Sequence, residues 1–258
     1  MDNALDDLLR EHRIWRRGGN RTTQGCLPSG FAQLDAVLPG GGWPMGALTE
    51  VLHNAPGIGE LRLIMPALAR LSRAGRWIAL VAPPHIPYAP ALAAQGMDLS
   101  RILLIHPRAG SDTLWALEQT MRSGSCAAVL AWPRQAEHQQ LRRLQLAAEA
   151  GHCWGLLLRN EQAAAERSPA ALRVLMQGQG DADTRVDLLK VRGGRPRQGL
   201  RLDLNNPRVR ALPLQTSQSG QAAASPGRKH PEGTHKAPVL LYRQHPRQER
   251  HQLDLPLE

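Results

Sequence analysis

The chain has 258 residues, 42% of them hydrophobic, enough to bury one medium-sized core with polar extensions. Lysine and arginine number 32 against 22 acids, a net charge of +10, which favours a polyanionic partner, nucleic acid before membrane surface. Three widely spaced cysteines, Cys26, Cys126 and Cys153, suit neither a disulfide framework nor a zinc site, so reduced thiols and a cytoplasmic setting are expected. No apolar run is long enough to span a bilayer, and residues 1–17 lack the apolar centre of a signal peptide.

Residues 2–17 carry Leu5, Leu8, Leu9 and His12 at helical spacing, which predicts a short amphipathic N-terminal helix, the first of three segments (1–25). A helical turn over 31–38 and the glycine-rich run Gly40-Gly41-Gly42-Trp43-Pro44-Met45-Gly46 lead into an apolar strand, Leu48 to Leu52. A loop with Gly57 and Gly59 and a helix over 60–74 follow, and Pro66 predicts a kink in that helix. Strand, glycine loop and helix in this order are the layout of a phosphate-binding loop, where backbone N–H groups close on phosphate oxygens. The anchor places of Gly-x-x-x-x-Gly-Lys-Ser/Thr, however, hold Asn54, Gly59, Glu60 and Leu61. A carboxylate replaces the ammonium that meets the phosphates, and a leucine replaces the hydroxyl that holds magnesium. The first is repulsive and the second removes the metal clamp.

Strands at 77–82, 101–106, 127–132 and 153–158 alternate with helices at 91–95, from the cap at 110–112, and 135–150. Such alternation predicts an α/β fold, a mostly parallel sheet with helices on both faces. Leu172 to Met176 reads as a short helix. Two strands within 185–204 are joined by a basic turn, and Arg185, Lys190, Arg192, Arg195, Arg197 and Arg201 face only Asp187 and Asp203 in that window. This density suits a phosphate backbone or a solvated hairpin. From 206 to 258 the chain reads as a disordered basic tail, with an apolar island at Val239-Leu240-Leu241-Tyr242 and a second at Gln252-Leu253-Asp254-Leu255-Pro256-Leu257.

The order Pro28-Ser29-Gly30, Leu34-Asp35, Gly41-Gly42-Trp43-Pro44-Met45-Gly46 and Glu50-Val51 resembles the entry to the nucleotide-binding core of the RecA recombinase family. Measured against that family, the stretch between Arg76 and Gln95 has no acid to activate water. Ala131 and Trp132 stand where a metal-binding aspartate is expected, and Asn160 falls near a γ-phosphate sensor. Lys190 and Arg192 match lysines that reach a neighbouring subunit's nucleotide. Residues 252–257 are similar to the hexapeptide by which bacterial polymerases bind the sliding clamp; a glutamine anchors by hydrogen bonds while leucines fill an apolar cleft.

A RecA-like core over 26–205 with a degenerate loop is similar to the ImuA family of RecA/SulA-like accessory proteins of bacterial translesion DNA synthesis. The resemblance implies an SOS-induced, non-catalytic assembly factor in mutagenic DNA repair, with no catalytic residue, metal or cofactor. Its implied partners are an inactive Y-family polymerase homologue (ImuB-like), RecA with DNA, and the sliding clamp, and none is a membrane. Two alternatives stand beside it: a SulA-type cell-division inhibitor, and a RecA-like ATPase with an unorthodox phosphate loop.

Overall fold

The computed structural model describes residues 25–207 apart from 56, 108–109 and 179–182. The N-terminal helix, the Val239–Tyr242 island and the clamp-like segment Gln252–Leu257 lie outside the described residues.

Strand β3 (Ala47–His53) is the axis of the fold, and all seven of its residues are buried. It pairs in parallel with β7 (Trp154–Asn160) on one side and β8 (Leu172–Gln177) on the other. Beyond β7 lie β6 (Cys126–Ala131), β4 (Trp77–Val81) and the edge strand β5 (Ile102–Ile105), all parallel. Beyond β8 come β9 (Asp183–Val191) and β10 (Arg197–Asp203), both antiparallel. The order β10-β9-β8-β3-β7-β6-β4-β5 thus makes a mixed but mostly parallel eight-stranded sheet. Two short strands, β1 (Cys26–Leu27) and β2 (Trp43–Pro44), pair separately, with the short helix α1 (Ala32–Asp35) between them.

Parallel strands need both faces covered, because every crossover helix must pack back on the sheet. On one face α2 (Glu60–Arg73) buries Leu63, Ile64, Leu68 and Leu71 against Val51, Ile78, Leu80 and Leu130. On the other, α4 (Gly110–Arg122) and α5 (His138–Ala150) bury Leu117, Met121, Leu141 and Leu144 against Leu48, Ala79, Val129 and Leu157. The six-residue α3 (Ala89–Ala94) buries none of its residues. Removing a fully buried leucine such as Leu141 costs about 2–5 kcal/mol in lost transfer and cavity terms.

Helix α2 runs without interruption through Pro66. Gly30, at φ +92°, permits this approach: a Cβ there would come within 2.6 Å of the Pro66 ring. Residues 172–176, expected as a helix, form β8 instead. The run Leu-Arg-Val-Leu-Met is too short for periodicity to decide, and the open side of β3 supplies backbone partners that a helix would leave unmet.

Candidate functional site

The loop between β3 and α2 carries its glycines in the left-handed region, Gly57 at φ +82° and Gly59 at φ +104°. Gly59 is the N-cap of α2, and its carbonyl accepts the first helical bond from the Leu63 N–H. Glu60, the first helical residue, turns its side chain back into the loop. The Gly57 N–H donates to Glu60 Oε1 and Oε2, both at 3.1 Å. Negative charge at a helix N-terminus is favoured by the unpaired N–H groups there. The chain therefore supplies its own anion where a phosphate-binding loop takes one from a ligand. Asn54 is exposed, and Leu61 is 37% exposed with no hydroxyl to offer a metal.

The segment leaving β10 closes on the same loop. A Cβ at Gly59 would come within 2.7 Å of Leu204 Cδ1, and Arg62 Nη1 donates to Asn205 Oδ1 at 2.8 Å. At the strand ends around the loop the side chains are engaged within the chain. Trp132 packs on the core beside α2, and Asn160 Oδ1 accepts from the Gln162 N–H at 2.9 Å, capping the turn that follows. No group of three or more His, Cys, Asp or Glu among the described residues is placed to hold a metal ion.

Beneath the loop lies a constellation that reading the sequence missed. Glu50, fully buried in β3, accepts from Arg159 Nη1 of β7 at 2.9 Å and from Arg173 Nε of β8 at 2.7 Å. Arg159 also binds Glu166 at 2.8 Å. Arg173 is further held by the carbonyls of Ala163 and Glu166 at 2.6 and 2.9 Å. Glu50 and Arg173 are direct partners in the β3–β8 register. Such a cluster costs desolvation energy and holds the three strands in one arrangement only while complete. The available signal was a glutamate inside one apolar strand and an arginine inside each of two others.

The six basic residues of the hairpin divide by environment. Arg185 pairs with Asp187, and Lys190 Nζ donates to the Ser168 carbonyl at 2.7 Å. Partial burial first, then the nearby Arg192 and Arg173 charges, push the Lys190 pKa down, while Glu50 pulls the other way. Arg192 binds Glu149 at the end of α5, at 2.9 Å. The two residues similar to cross-subunit lysines are thus held by their own chain. Arg195 and Arg197 stand exposed at the turn and make no ion pair with the described residues. Arg201 is exposed and lies opposite Arg185 in the β9–β10 register.

The cysteines carry no site. Cys126 and Cys153 are buried in the core beneath α4 and α5. Burial pushes both thiols up, and with Cys126 nearby Cys153 rises to about 12.

This architecture is an α/β domain with a phosphate-loop layout and an internal carboxylate. Residues 46–155, from the start of β3 to the start of β7, match the family model for the cell division inhibitor SulA. SulA from Pectobacterium atrosepticum is 29% identical over 119 residues, covering 46% of this chain and 71% of that protein. Protein ImuA from Caulobacter vibrioides is 30% identical over 145 residues, 54% of this chain and 59% of its own length. The crystal structure of SulA from Pseudomonas aeruginosa matches at 27% identity and a TM-score of 0.38, over 43% of this chain and 97% of that one. Residues 46–155 thus resemble the SulA family, and the chain is similar to both SulA and ImuA proteins.

Proposed function

We propose that this protein is a non-catalytic assembly factor of SOS-induced translesion DNA synthesis, built on a RecA-like core that has lost its nucleotide chemistry. In this role it joins an inactive, ImuB-like polymerase homologue, RecA on DNA, and the sliding clamp. The observation that carries the absence of catalysis is the Glu60 carboxylate on the Gly57 N–H. An anion already bound there repels a polyphosphate, and Leu61 offers no ligand for the metal that phosphoryl transfer uses. The ImuA likeness supports the damage-induced setting and the ImuB-like partner. Exposed Arg195 and Arg197 support contact with DNA. Two weak attachments on one chain raise effective concentration by orders of magnitude without a tight single site.

A second reading is favoured by the match at residues 46–155 and by the SulA relatives: inhibition of cell division through a tubulin-like polymerising protein. The test is a pull-down of the full chain against purified pseudo-polymerase, sliding clamp and division protein. The assembly role predicts retention of the first two, with the clamp lost when the chain is cut after Arg250. Retention of the division protein alone would overturn it.

A further inference from the structure

Tryptophan is usually buried over most of its surface, yet Trp115 on α4 is 61% exposed. Its surroundings are charged. Trp115, Glu118 and Arg122 occupy positions i, i+3 and i+7 of one helix and therefore share a stripe along it. Glu118, whose side chain is 8% exposed, accepts from Arg122 Nη2 at 2.9 Å and binds Arg143 Nη2 of α5 with its other oxygen. One buried carboxylate thus fixes two guanidinium groups, one on the Trp115 stripe of α4 and one on α5, while both arginine side chains remain more than half exposed. The acid is consumed and one positive charge is left over. Arg142 stands exposed on α5 next to Arg143, and Arg192 ties the basic hairpin turn to the end of that helix through Glu149.

We propose that the outer face of α4 and α5, centred on Trp115, is a stacking platform for single-stranded nucleic acid. An aromatic ring accepts any base face, and guanidinium groups fixed along the same helical face meet the phosphates of the strand. A protein-binding hot spot also favours tryptophan and arginine, but it needs an apolar surround that keeps water out. Here the other large exposed hydrophobic residue on these two helices is Leu146 of α5, one turn from exposed Arg142 and Arg143. The net charge of +10 and the arginines at the hairpin turn extend the electrostatic match to a polyanion. This inference rests on the reading that the protein contacts DNA, and it adds the strand form and the helical face.

The experiment is fluorescence anisotropy of a labelled oligothymidylate with the full-length protein, its Trp115→Ala and Trp115→Tyr variants, and Arg195→Ala/Arg197→Ala. Loss of one stacked base weakens binding at least about fivefold in Trp115→Ala, without altering the salt slope. Trp115→Tyr keeps a ring and restores most of the affinity. The hairpin double variant instead flattens the slope of log affinity on log salt by about 0.7 for each phosphate it no longer neutralises. If Trp115→Ala binds like the wild type while the hairpin variant weakens, the platform is refuted and the role of the hairpin stands. Equal weakening in Trp115→Ala and Trp115→Tyr also refutes stacking. No binding of oligothymidylate by the wild type overturns both.

Discussion

Glu50 lies within strand β3 and Glu60 begins the helix that follows it, and the fold puts the same carboxylate to opposite uses. Glu50 is fully buried and bound by two arginines from the flanking strands. Glu60 is half-buried and bound by the backbone N–H of a glycine. The first locks three strands together, so its loss is felt by the whole sheet. The second satisfies a loop that, in a nucleotide enzyme, a ligand would satisfy, so its loss is local. Environment rather than residue type decides which acid ties strands together and which closes a loop.

The largest effect is expected at the buried site. Glu50→Gln keeps the shape but leaves buried Arg173 without an anion and Arg159 with Glu166 alone, and urea unfolding should show about 3–5 kcal/mol of lost stability. An unchanged midpoint would dissolve the contrast with Glu60. Replacing Glu50, Arg159 and Arg173 together by apolar residues of similar volume should recover much of that loss, because the desolvation cost leaves with the charges. Glu60→Ala should cost only about 0.3–1 kcal/mol, the value of one acid at a helix N-terminus. A loss as large as that of Glu50→Gln would mean that the loop, too, is a keystone.

Proton linkage separates smaller effects. The Lys190 pKa is lowered in the folded state, so the unfolded chain holds that proton to higher pH. Folding stability from this group therefore rises as pH climbs through the folded value towards the unfolded one near 10.5. Denaturation of wild type and Lys190→Met across that interval should show the wild type gaining relative to the variant. A flat difference would contradict the assigned burial. The smallest effect is expected at Asp98, held below its ordinary value by the Ser100 hydroxyl and then the Ser100 N–H. Its contribution is present above the unfolded value of 3.8 and disappears as pH falls through the depressed folded value. Thermal unfolding curves of wild type and Asp98→Asn should converge in acid, and a gap persisting there would assign the difference to something other than the carboxylate.

Much of the sheet was legible because its strands are apolar runs of sheet length separated by amphipathic helices. Trp77–Val81 and Cys126–Ala131 fall within a residue of the expected spans. Leu172–Gln177 was misread because a short apolar run has no decisive period and only the vacancy beside β3 selects a strand. At the loop, the residue types at 54, 57, 59, 60 and 61 were visible, but the return of the Glu60 side chain to Gly57 was not. That bond depends on two positive-φ glycines and a helix start, which spacing alone does not place. The Glu50 cluster was invisible for a different reason: its charges come from three strands and meet only through register. In the hairpin, the basic residues were plain, but which of them the chain binds itself depended on Ser168 and Glu149, far away in sequence.

The proposed loss of nucleotide chemistry rests on a loop whose Gly57 N–H is already held by its own acid. The most direct test is the melting temperature of the wild-type chain titrated with magnesium–ATP, because any ligand of the native state must raise stability as the logarithm of one plus its concentration over its Kd. A flat titration through millimolar nucleotide is the expected result. A rise in Tm that grows with the logarithm of nucleotide concentration, lost when the triphosphate is replaced by adenosine, would contradict it.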